Sequence, residues 1–120
     1  MAENLTVDPK DVQDNKIMAI LAYISILFLV PLLAAKESPF ARFHTNQGII
    51  LCIIGVALNV VIVVLGVILA LIHPGLLVIT GILSSICGLG LLALAIIGII
   101  NAANGEVKEL PVIGKYRILK

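Results

Sequence analysis

Polar and apolar residues are separated along this chain into long blocks. Three blocks, residues 17–35, 49–72 and 76–100, are apolar and contain no Asp, Glu, Lys, Arg or His. A helix rises about 1.5 Å per residue, so each block is long enough to reach across a hydrocarbon core of about 30 Å. The pattern predicts an all-α membrane protein with three transmembrane helices.

The second and third blocks are separated only by His73-Pro74-Gly75, a sequence typical of a turn. These two helices are therefore predicted to form a tight antiparallel hairpin. Pro31 interrupts the first block and removes one backbone donor, which a membrane helix tolerates as a kink. If Pro31 instead makes the first block re-entrant, the chain has only two true spans.

The polar stretch before the second block contains a helix start. Ser38 is suited to the N-cap and Pro39 to the first helical position. We predict a short interfacial amphipathic helix over residues 39–48. The chain as a whole then divides into a polar acidic tail, a transmembrane helical domain and a basic cytoplasmic tail, at residues 1–16, 17–105 and 106–120.

The distribution of basic residues predicts an orientation. With three spans, the N-terminal tail shares one side with the His73 turn and carries two basic residues, Lys10 and Lys16. The other side carries six: Lys36, Arg42, Lys108, Lys115, Arg117 and Lys120. Basic residues accumulate on the cytoplasmic side, so the C-terminus is predicted to be cytoplasmic and the N-terminus outside.

Composition agrees with a membrane protein and narrows its chemistry. Hydrophobic residues make up 61% and charged residues 12%, whereas soluble domains have about 45–50% and about 25%. The net charge of +1 implies no general attraction to nucleic acid. The apolar blocks lack the charged residues that mark transport paths, and no catalytic constellation is present. We therefore expect no enzyme activity, no cofactor and no metal.

Small and polar residues form a stripe on each of the last two predicted helices. Such faces let membrane helices approach closely. The two stripes either pack together within the hairpin, with Asn59 bonded to a serine of the other helix, or form a self-association face or pore lining. The candidate residues are Gly48, Cys52, Gly55, Asn59 and Gly66 in one helix and Gly81, Ser84, Ser85 and Gly88 in the other.

A second group of candidates lies in the polar stretch between the first two blocks. Its charged and polar side chains are suited to contact either anionic lipid headgroups or a partner protein. These candidates are Lys36, Arg42, His44 and Gln47.

Two motifs resemble those of a known family. They are Ser-Pro-Phe-Ala-Arg-Phe-His-Thr-Asn-Gln-Gly at residues 38–48, and Ile-Asn-Ala-Ala-Asn-Gly followed by Leu-Pro-Val-Ile-Gly within residues 100–114. Together they resemble a family of small prokaryotic membrane proteins of unknown function that is similar to the chloroplast protein-import component of the Tic-twenty type. The resemblance implies an α-helical protein of the cytoplasmic (inner) membrane of a prokaryote.

Two functional hypotheses follow. The first is an accessory or scaffold subunit that acts through helix–helix and protein–protein contacts in the lipid bilayer, with a second copy or other membrane proteins as partners. The alternative is an oligomeric channel or protein-translocation component, which the resemblance to the import family implies.

Overall fold

A computed structural model of the protein describes residues 7–119, apart from the side chain of Ser25. The regular secondary structure in this part of the chain is all helical, with no strand. There are four α-helices in order: α1 (Pro9–Leu21), α2 (Leu29–Ala34), α3 (Pro39–Ile72) and α4 (Leu77–Ala103). Short 3-10 turns, Ser25–Phe28 and Pro74–Leu76, precede α2 and α4.

Helices α3 and α4 form the long hairpin that the sequence predicts. The His73 ring accepts a hydrogen bond from the Gly75 amide at 3.0 Å, which closes the connection. Both helices are long and apolar enough to cross a membrane. Only 17% and 6% of their most apolar stretches are buried inside the protein. A helix in the core of a soluble protein would be mostly buried, so these exposed apolar surfaces are suited to face lipid.

The predicted first span over residues 17–35 is not one helix. Helix α1 ends at Leu21, and Ile24 has a non-helical backbone (φ −106°, ψ 84°). Pro31 lies in the first turn of α2, where its missing N–H would have no intrahelical partner in any case. Proline therefore helps to begin a new short helix here instead of kinking a long one. Two helices, not three, meet the length and hydropathy requirements for a span in the described part of the chain.

The predicted interfacial helix over residues 39–48 is also not separate. It forms the first three turns of α3, without a bend at Gly48. Ser38 is the N-cap as predicted, because its hydroxyl accepts a hydrogen bond from the Ala41 amide at 3.0 Å. Nearly all of these turns are buried beneath α1 and residues 106–119, so they do not face a membrane surface.

The protein core lies at one end of the hairpin, opposite the His73 turn. We call this end the base; it comprises residues 39–51 of α3 and 98–103 of α4. Helix α1 and the two residues that follow it pack on the base through Ala19, Ala22 and Tyr23, all at most 3% exposed. The C-terminal segment, defined as residues 106–119, packs on it through Leu110. Segments before and after the hairpin therefore meet at the same end.

Candidate functional site

Three polar side chains on the first turns of α3 form a buried group, which we call the base cluster. It consists of His44, Asn46 and Gln47, which are 0%, 2% and 0% exposed. Burying polar groups is unfavourable unless they form hydrogen bonds. Each member has such partners, and nearly all of them are backbone groups of the C-terminal segment.

The two amide side chains hold the C-terminal segment by its backbone. Gln47 donates from Nε2 to the Gly114 carbonyl at 2.9 Å and accepts from the Leu110 amide at 3.0 Å. Asn46 donates from Nδ2 to the Tyr116 carbonyl at 2.9 Å. Its Oδ1 accepts from the backbone amides of Ile118 at 2.5 Å and Leu119 at 2.9 Å. An amide side chain carries both donors and an acceptor, so it can bond to backbone N–H and C=O groups as a neighbouring β-strand would.

His44 connects the C-terminal segment to the end of α1. One ring nitrogen, Nε2, lies 2.7 Å from the Glu106 carbonyl oxygen, and the other, Nδ1, lies 2.5 Å from the Tyr23 hydroxyl. A carbonyl oxygen only accepts, so Nε2 carries a proton and donates to it. The Tyr23 hydroxyl then donates to Nδ1 of a neutral ring. The edges of Phe40 and Phe43 surround the imidazole at centroid distances of 4.9 and 5.1 Å.

An acidic residue of α1 completes the base from the other side. Asp11 accepts hydrogen bonds from the Ser38 hydroxyl at 2.5 Å and from the Phe40 amide at 3.1 Å. It therefore satisfies an amide at the start of α3 and places a negative charge at the positive end of the helix dipole. Asp11 and Tyr23 were missed in the sequence because their partners are 21 to 29 residues away. A signal for Tyr23 existed, since a hydroxyl in an apolar block needs a partner.

The candidates for headgroup or partner contact are placed differently from one another. His44 and Gln47 are buried in the base cluster and do not reach the surface. Lys36 is exposed. Arg42 is partly exposed and, with Phe43 and Arg117, lines a cavity of about 350 Å³. Arg117 itself pairs with Glu109 at 2.8 Å and lies over the Phe43 ring.

The small-residue stripe of α3 packs against α4 only in part, and it does so through α4 residues outside the second stripe. Gly55 faces Leu91, and Gly66 faces Thr80 of α4. Gly48 faces instead the backbone of Ala22, at the end of α1. The α4 stripe borders open space over much of its length: nothing lies within 4 Å of a Cβ added at Gly81 or Gly88, and Ser84 and Ser85 are exposed.

The polar residues of the stripes do not pair as expected. Asn59 and Ser84 line the same groove of about 200 Å³, and Cys52 and Asn59 line a larger apolar one of about 760 Å³. Within the described residues, no hydrogen bond joins Asn59 to Ser84 or Ser85. The Ser85 hydroxyl donates to the carbonyl of Gly81 in its own helix at 2.9 Å.

Fold and base cluster together define a class: a small helical-hairpin protein with two helices suited to span a membrane and one polar end that fastens the segments on either side of the hairpin. Within that class, comparison with known proteins is decisive. The chain belongs to the magnetosome magnetite crystal formation protein family, which it matches over residues 14–118.

Two magnetosome proteins are similar to the chain. It is 28% identical over 116 residues to magnetosome protein MamF of Magnetospirillum gryphiswaldense, covering 94% of each protein. It is 42% identical over 40 residues to magnetosome protein MmsF of Paramagnetospirillum magneticum, covering 33% of this chain and 37% of that protein. No solved structure matches the chain.

These comparisons correct the family expected from the two sequence motifs. The resemblance to the family similar to the chloroplast import component is wrong, because the family match that covers residues 14–118 is to magnetosome proteins. The motifs themselves have a structural reason: residues 44–47 carry the base cluster, and residues 110–114 are the backbone that Gln47 holds. The translocation alternative, which that resemblance implied, is therefore unsupported.

Proposed function

We propose that this chain is a protein of the membrane that surrounds a magnetite crystal, where it contributes to crystal formation as a non-catalytic accessory or scaffold subunit. The family match over residues 14–118 supports a part in magnetite crystal formation. The base cluster supports a scaffold role. His44, Asn46 and Gln47 use their polar atoms to hold the chain's own backbone. Such an arrangement makes a rigid platform at one end of the hairpin.

We further propose a two-span topology in place of the three-span one expected from the sequence. Helix α1 and the C-terminal segment pack on the same base, which supports placing them on one side of the membrane. All eight Lys and Arg residues then lie on that side, because none falls within residues 49–105. Basic residues accumulate on the cytoplasmic side of a membrane, so eight on the side of the base and none on the other side favour a cytoplasmic base. The face toward the crystal then carries only the turn at His73.

This orientation locates the contacts through which a scaffold could act. Partners on the cytoplasmic side would meet the base, where Lys36 and parts of the C-terminal segment are exposed. Partners in the membrane, including a second copy, would meet the open small-residue stripe of α4, because close approach of two helices requires small side chains.

The topology predicts a labelling pattern. In a background with Cys52→Ala and Cys87→Ala, single cysteines would be placed at the exposed positions Gln13, His73 and Val112. They would be treated with a membrane-impermeant thiol reagent in intact cells of a bacterium that forms no magnetosomes, where the chain lies in the cytoplasmic membrane. We expect labelling from outside at position 73 only. Labelling at position 13 as well would contradict the two-span arrangement and restore a first span.

The proposed process can be tested in a magnetotactic host from which its own members of the family have been deleted. Expressed there, the chain is expected to co-purify with magnetosomes and to return crystal diameters, measured by electron microscopy, toward those of the parent strain. A Gln47→Leu variant present at equal amount is expected to restore them less. A chain that stays outside the magnetosome fraction and leaves the diameters unchanged would argue against the proposal.

A further inference from the structure

We propose that residues 24–34, the wedge segment, insert into a single leaflet on the side of the base and give the protein a preference for membranes whose cytoplasmic leaflet is convex, as in a small vesicle. The inference rests on the two-span topology proposed above. It concerns a surface to which neither the fold nor the family relationship assigns a role, and the partner is lipid.

The wedge segment exposes an apolar surface beside the base. It contains no charged residue, and six of its large hydrophobic side chains are at least 39% exposed: Ile24, Ile26, Leu27, Leu29, Val30 and Leu33. A contiguous apolar patch of this kind marks a protein or membrane contact. Pro31, fully buried, holds the opposite side of the segment against the protein.

The segment is too short to cross the membrane, and it returns to the side from which it came. Four residues of 3-10 helix and six of α-helix extend about 17 Å, close to half of a hydrocarbon core of about 30 Å. Before it, the Tyr23 hydroxyl is bonded to His44. After it, Ser38 caps α3 and contacts Asp11. Both ends are therefore fixed to the base.

The wedge segment also lies at the level where lipid should begin. Ile24 lines the same groove as Leu51 and Cys52, and the exposed apolar surface of α3 starts at Ile53. The roughly 20 residues from there to Ile72 span about 30 Å at the rise of an α-helix. The wedge segment is thus continuous with the lipid-facing surface of the hairpin at the leaflet nearest the base, and the exposed Lys36 follows it at headgroup level.

Insertion into one leaflet has a mechanical consequence. The hairpin occupies area in both leaflets, whereas the wedge segment adds area to one alone. Shallow apolar insertion of this kind is sensitive to curvature, because packing defects are more frequent on a convex surface. A membrane that encloses a small crystal turns its convex, cytoplasmic leaflet toward the base, so the protein would be enriched there relative to flat membrane.

Depth can be measured directly because the chain has no Trp. Single Ile26→Trp and Leu33→Trp variants would be reconstituted with lipids brominated at shallow or deep acyl positions. We expect both to be quenched most by the shallow bromines. Val64→Trp, at an exposed position midway along the lipid-facing part of α3, and Val112→Trp, on the exposed surface of the C-terminal segment, supply the deep and unquenched references.

Two other results would overturn the proposal, and they are distinguishable. Quenching of Ile26→Trp by deep bromines, equal to that of Val64→Trp, would mean that the segment spans the membrane, which also removes the two-span topology. Absence of quenching at both positions would mean that protein covers this face, which removes the wedge but leaves the topology and the role in crystal formation intact.

Curvature preference is tested by reconstitution into mixed small and large vesicles. The wild-type protein is expected to be severalfold enriched, per unit of lipid area, in the small ones. A triple variant, Ile26→Ala, Leu29→Ala and Leu33→Ala, is expected to lose this enrichment. A matched triple variant on α4, Leu89→Ala, Leu92→Ala and Ile96→Ala, trims exposed side chains of the spanning hairpin and should retain it. Equal enrichment of all three proteins would contradict the proposal.

Discussion

Replacing Gln47 with leucine is expected to release residues 110–119 from the base while the hairpin remains folded. Leucine fills similar space but has no polar atoms, so the Leu110 amide loses its partner in a buried site. The Gly114 carbonyl loses one of its two donors and keeps the hydrogen bond from Arg117. An orphaned buried group costs about 1–3 kcal/mol. The segment avoids this cost by detaching, since water then satisfies its backbone. The hairpin depends on its own helical bonds and is unaffected.

Release can be followed by limited trypsin digestion in detergent, with the fragments identified by mass spectrometry. Cleavage after Lys115 and Arg117 proceeds through local opening, and each 1.4 kcal/mol lost raises the open population about tenfold. We expect cleavage there to accelerate at least about tenfold in Gln47→Leu. Asn59→Leu is the matched control, because it makes the same amide-to-leucine change at an exposed site outside the base cluster. Equal cleavage rates in the two variants would mean that Gln47 does not hold the segment.

The hairpin was predictable from sequence because its determinants are local. Uninterrupted apolar blocks and the His73-Pro74-Gly75 turn define two helices without reference to the remaining chain. The first block was misjudged for the opposite reason. Hydropathy measures whether 19 residues could cross a membrane, but Ala22 and Tyr23 are buried by contacts with α3 and α4 that no local pattern encodes. Helix α1 ends at Leu21, directly before these two buried residues.

Two of the sequence candidates, His44 and Gln47, lie in the base cluster, but the hydrogen bonds that they form there were not predictable. A run of polar residues beside an apolar block is compatible with headgroup contact, a partner or an internal fastening. What decides between them is whether backbone groups elsewhere in the chain lack partners. Residues 106–119 form no regular helix or strand, so their amides and carbonyls need bonds, and His44, Asn46 and Gln47 supply them. That requirement becomes visible only once the segment is placed in space.

Replacing Gly48 with alanine is expected to displace α1 from the base. The added methyl group would overlap the carbonyl oxygen of Ala22 and lie 2.7 Å from its carbonyl carbon. These are backbone atoms, so rotating a side chain does not relieve the overlap. The missing side chain at Gly98 likewise leaves room for the ring of the neighbouring Tyr23. Overpacking typically costs about 1–3 kcal/mol, and displacement would also strain the Tyr23–His44 hydrogen bond.

Hydrogen exchange of the α1 amides, measured by mass spectrometry in detergent, reports this displacement. We expect exchange over residues 9–21 to accelerate at least about tenfold in Gly48→Ala, because a loss of 1.4 kcal/mol raises local opening by that factor. Gly88→Ala is the matched control, since nothing lies within 4 Å of its added methyl group. It should leave α1 unchanged and, as alanine favours helix over glycine, slow exchange in α4. If the two variants affect α1 equally, close packing of Ala22 on Gly48 does not hold α1 to the hairpin. The two-span topology is inferred from α1 and the C-terminal segment packing on the same base, so it would then lose its main support.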